Sequence, residues 1–114
     1  MTDKQYTICV TEAQNYTDRE AYISDLTLSS MWCDGPEDDT PTARIEQLGS
    51  IYDAVHRSIK EIAAEAGMSA RAMAIRFCIP QRTAESWCGA TDAARQCPLY
   101  TRLMIQECLG LLKR

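Results

Sequence analysis

The chain has 114 residues, 46% of them hydrophobic, and a formal net charge of −4. That length carries one domain with an appendage; no stretch approaches the ~18 uncharged apolar residues that span a bilayer, and the polar opening Met1 to Gln5 does not read as a secretion signal, so the expected setting is cytoplasmic, without membrane contact. Six cysteines include no C-x-x-C pair and stand beside a single histidine, which argues against zinc and for reduced thiols, with Cys9, Cys78 and Cys108 as small buried apolar groups.

Tyr6 to Val10, YTICV, combines aromatic, β-branched and thiol side chains and predicts a short strand or extended arm. No partner strand follows it, so its backbone groups would pair with the same strand of a second subunit or lie along the helical body. The first alternative implies a homodimer. Thr17 or Asp18 then caps a predicted helix from about Arg19 to Trp32, whose stripe is Tyr22, Ile23, Leu26, Leu28, Met31 and Trp32. Asp34 to Pro41 holds two prolines, a glycine and four acids, the composition of an exposed hinge loop. It lacks the alternating oxygen ligands and terminal glutamate of a calcium-binding loop. On this reading residues 1–40 are an acidic extension and residues 41–114 the main domain, the whole forming one compact unit.

Thr40 and Pro41 start a further helix, continued by Ile45, Leu48, Ile51, Tyr52 and Val55 toward His56. His56 is placed for capping or for the surface, since no acid, cysteine or serine is set in sequence to complete a triad with it. Ser58 and Glu61 form a capping box for the segment that Gly67 ends. Ser69 caps a helix over about Ala70 to Phe77, with Met73, Ala74 and Phe77 facing inward. Pro80 stops it and opens another, in which Ala84 and Trp87 are the buried stripe and Gln81, Arg82, Thr83, Glu85 and Ser86 face outward. Two helices of about eight residues joined by a short turn make a helix-turn-helix. The segment ATDAARQ after Gly89 reads as a loop. Cys97-Pro98 opens the last helix, with Leu99, Leu103, Met104, Cys108, Leu109 and Leu111 as its apolar face and Lys113-Arg114 as a basic tail. The expected fold is mainly α, a compact helical bundle containing a helix-turn-helix, with a short N-terminal β-strand or extended arm.

Gly67-Met68-Ser69, Met73-Ala74, Phe77-Cys78-Ile79-Pro80, Ala84, Trp87 and Gly89 together resemble the Xre-like, or lambda-repressor-like, helix-turn-helix regulators, over roughly half the chain. Two positions depart from that pattern. Cys78 stands where glycine is usual in the turn, and Ala70 where the family has a glutamine that helps to bind the DNA backbone and the recognition helix. The resemblance implies sequence-specific binding of double-stranded DNA by a small transcriptional regulator of phage or mobile-element type. As a homodimer it would present two recognition helices one DNA turn, about 34 Å, apart. Gln81, Arg82, Thr83, Glu85 and Ser86 would then lie at the base edges, with Arg82 suited to guanine and Gln81 to adenine. Ser69, Arg71, Arg76 and the loop from Thr91 to Arg95 would hold phosphates.

Charge supports that division of labour. Residues 1–56 carry three basic and eleven acidic side chains, a net of −8, whereas residues 57–114 carry nine and five, a net of +4. There is no phosphate-cradling glycine loop, no HExxH and no nucleophile elbow, so an enzyme is not expected, nor a cofactor or metal. The alternative is a protein-binding role. The acidic residues 1–56 would occupy a nucleic-acid enzyme, as an anti-CRISPR protein or a DNA mimic does.

Overall fold

The computed structural model describes residues 1–34, 41–89 and 97–113. Among them are seven α-helices and no strand: α1 (Asp3–Ala13), α2 (Arg19–Thr27), α3 (Pro41–His56), α4 (Ile59–Ala66), α5 (Ala70–Phe77), α6 (Gln81–Trp87) and α7 (Leu99–Cys108), with a short 3-10 segment, Ser30–Asp34. The chain divides into two units, one formed by Met1–His56 with Gly110–Arg114, the other by Arg57–Leu109. α3 belongs with α1 and α2, against which it packs. The expected division at residue 40 placed it with the later helices instead.

The N-terminal strand is replaced by a helix. Tyr6 to Val10 lies inside α1, because Thr2 and Gln5 form a reciprocal capping box and Gln5, Cys9 and Ala13, four residues apart, are buried together. α2 stops at Thr27, well before Trp32. The Trp32 indole donates to the Leu26 carbonyl at 2.7 Å and turns the chain back over the helix end, so Trp32 is buried while Leu28, expected in the stripe, is 83% exposed. α3 begins at Pro41 and ends at His56, as its sequence implies. Leu48, Ile51, Tyr52 and Val55 are buried, and Ile45 is exposed.

Polar groups stitch this first unit together. Tyr16, Tyr22, Tyr52 and His56 form a chain of rings with centroids 5.6, 5.3 and 4.2 Å apart. Tyr22 donates its hydroxyl to the Cys9 carbonyl at 2.9 Å, and His56 Nε2 donates to the Ala13 carbonyl at 2.8 Å. His56 thus caps the end of α1 rather than the end of its own helix. Arg19 holds Asp53 through two hydrogen bonds, of 3.0 and 3.3 Å. Late in the chain, Leu112 is buried and the Lys113 N–H donates to Ser50 Oγ at 2.9 Å.

In the second unit α4 starts at the Ser58–Glu61 capping box and ends at Gly67, in left-handed geometry. α5 packs on both α4 and α6. The buried set is Ile59, Ile62, Ala63, Met73, Ala74, Ala84, Cys97 and Ile105, together with Gln106. Gln106 is satisfied where it lies, accepting from Arg57 Nη1 at 3.0 Å and donating to the Arg102 carbonyl at 3.2 Å. Arg102 in turn donates to the Arg57 carbonyl at 2.7 Å. This polar seam rotates α7 away from its expected apolar face: Ile105 and Gln106 are inside, while Met104 and Cys108 are exposed.

Candidate nucleic-acid interface

α5 and α6 are positioned by local chemistry. Ser69 has extended backbone and its hydroxyl accepts from the Ala72 N–H at 3.1 Å, which starts α5. The helix ends at Cys78, whose φ of 54° and ψ of 38° are left-handed. In that conformation the Cys78 and Ile79 N–H groups both reach the Ala74 carbonyl, the latter at 3.0 Å. Pro80 then serves as the N-cap position of α6 without a side-chain capping bond, its fixed φ suiting an abrupt restart. Residues 78–80 therefore form a three-residue turn between two packed helices.

Met73, Ala74 and Ala84 are buried and seat these helices. Phe77 and Trp87, expected as full core residues, are half-buried at the ends of α5 and α6. Arg71, Arg76, Gln81, Arg82 and Glu85 are exposed, whereas Thr83 and Ser86 are half-buried. The Arg76 guanidinium lies 5.7 Å from the Phe77 ring centroid, and Gln81 Nε2 donates to Glu85 Oε1 at 3.0 Å. Thr91 and Arg95 lie outside the described residues, as does the loop to which they belong.

Two features of this surface were not read from the sequence. Ile75, on α5 between Arg71 and Arg76, is 70% exposed, an aliphatic side chain among cations. Lys60, exposed on α4, is near enough to the Cys88 thiol at the end of α6 for its charge to act there: burial pushes that thiol up, and the Lys60 ammonium pulls the other way. Its signal was the polar face of the IKEIAAEA segment, which shows that a lysine is outward but not which helix end it approaches.

Among the described residues no group of three or more His, Cys, Asp or Glu side chains could hold a metal ion, and no helix is long and apolar enough to cross a membrane. Chemically the surface offers guanidinium and amide donors, with one carboxylate, on two short helices. No protein-family model, curated protein or solved structure matches the chain.

Proposed function

We propose that the second unit binds duplex DNA in a sequence-specific manner, with α5, the 78–80 turn and α6 acting as a helix-turn-helix and α6 entering the major groove. The observation that carries this reading is the pairing of a rigid seat with a polar exterior: Met73, Ala74 and Ala84 are buried while Arg71, Arg76, Gln81 and Arg82 are exposed. Arg71 and Arg76 meet phosphate, and Gln81 and Arg82 meet base edges. Biologically this is a small transcriptional regulator of the phage or mobile-element kind, acting as a homodimer. Strand pairing does not supply the dimer contact, because Tyr6 to Val10 is helical.

The test is selection of duplexes from a random pool by the full chain at two salt concentrations. An enriched palindrome whose binding weakens steeply with salt is the expected result. Arg82→Ala should reduce discrimination at one base position by about fivefold or more, leaving other positions unchanged. No retention even at low salt would overturn the proposal.

A second reading has its own observation. In the first unit Asp3, Asp18, Glu20, Asp25 and Glu46 are all exposed. An acidic surface of that kind suits a basic protein partner, such as the nucleic-acid-binding face of an enzyme. Capture of such an enzyme by the chain, unaffected by Arg82→Ala and lost when these five acids become amides, would favour this reading.

A further inference from the structure

Resting on the reading of α6 as a base-reading helix, we infer that Glu85 is a positioning residue, which fixes the Gln81 side-chain amide in the orientation that selects adenine, and is not itself a base contact. Gln81 and Glu85 lie one turn apart and are both exposed, with Gln81 Nε2 donating to Glu85 Oε1 at 3.0 Å. A carboxylate offers only acceptors, so of the two ends of the Gln81 amide only the nitrogen can face it. An unpartnered surface amide presents its oxygen and nitrogen interchangeably. Glu85 removes that choice.

What Gln81 then presents is one remaining N–H donor beside one carbonyl acceptor. Adenine shows an acceptor, N7, next to a donor, the N6 amino group, on its major-groove edge. Guanine shows two acceptors, and thymine an acceptor and a methyl group, so neither takes both ends of the amide. A pair of this kind on an exposed helix adds little to folding. Its consequence is read in base preference instead.

The experiment selects duplexes from a random pool with the full chain and three variants, Gln81→Ala, Glu85→Ala and Glu85→Gln, after melting curves establish that each is folded. The two Glu85 variants remove the same charge, so any difference between them isolates the acceptor. The expected pattern is an adenine position in the wild-type site, weakened about fivefold or more by Gln81→Ala and by Glu85→Ala. Glu85→Gln weakens it by less than Glu85→Ala does, because the new amide can still accept from Gln81 but can also donate to it. Full adenine preference in Glu85→Ala overturns the inference. So does loss of a cytosine position in both Glu85 variants, the mark of direct reading by the carboxylate. A wild-type site with no position sensitive to Gln81→Ala also overturns it, while leaving DNA binding intact. If the wild-type chain retains no duplex, the proposed function fails and this inference falls with it.

Discussion

Two consecutive helices end in the same way with different residues. α4 closes on Gly67, with φ of 66°, and the Met68 N–H reaches back to the Ala63 carbonyl at 2.9 Å; α5 closes on Cys78, with φ of 54°, and the Ile79 N–H reaches back to Ala74. Left-handed geometry costs a residue with a Cβ about 1–2 kcal/mol, and glycine returns about 0.5–1 kcal/mol of that through the greater freedom of the unfolded chain. Cys78→Gly should therefore stabilise the protein by about 0.5–1 kcal/mol, and Cys78→Val should destabilise it, as read from urea midpoints. The thiols inside behave differently. Burial pushes Cys9 from its ordinary 9.0 up to about 11, with a Tyr22 hydrogen bond partly opposing. Cys97 is likewise raised to about 11, by burial against the pull of Arg102.

Between about pH 9 and 11 the unfolded chain thus releases protons that the folded chain keeps. Stability from these thiols is complete below pH 9 and is lost as pH rises through 11. Denaturant midpoints should fall across that window, with a slope of up to about 1.4 kcal/mol per pH unit for each thiol, and Cys9→Ala should flatten the fall. An unchanged slope in Cys9→Ala would show that this thiol ionises alike in both states.

At the scale of the element, what was legible was what is written within four residues. Ser58 with Glu61, Ser69, Gly67 and Pro80 each act on backbone groups of their own turn, so α4, α5 and α6 fall where their sequences place them. α1 carried the same kind of signal in Thr2 and Gln5, but the β-branched and aromatic run that follows points the other way. The cap and the buried four-residue spacing outweigh that preference, which amounts to a few tenths of a kcal/mol per residue. Gln5 is the anchor: its side chain accepts from the Thr2 N–H at 2.8 Å and donates to the Met31 carbonyl at 3.0 Å. Gln5→Ala should cost about 2 kcal/mol, roughly twice the loss from Thr2→Ala, because it also leaves a part-buried carbonyl unpaired. Equal losses in the two variants would show that the Met31 contact contributes nothing. The end of α2 and the face of α7 were not legible, since they depend on partners far along the chain: Trp32 folding back on Leu26, and Arg57 meeting Gln106. Of the candidate site, the three-residue turn could be read, because it is local; of the outward set, Gln81, Arg82 and Glu85 are exposed, whereas Thr83 and Ser86 are half-buried. The approach of Lys60 to Cys88 could not be read.

Across the whole molecule, the change of charge sign at residue 57 coincides with the boundary between the units. The expected division at residue 40 came from the proline- and acid-rich segment there, and hydrophobic spacing could not correct it, because spacing identifies a helix without identifying the core it joins. The same limit applies to Leu111 and its neighbours, read as a continuation of the last helix. Instead α7 ends at Cys108, Gly110 takes a φ of 74°, and the chain rejoins the first unit, where Leu112 is buried and the Lys113 N–H meets Ser50. The second unit is thus spliced into the first, and synthesis runs in one direction at about 5–20 residues per second. On the ribosome, α1, α2 and α3 emerge first but wait several seconds for their final piece, by which time the helices of the second unit have already been made. Of the two units, the one whose translation starts earlier is therefore completed later.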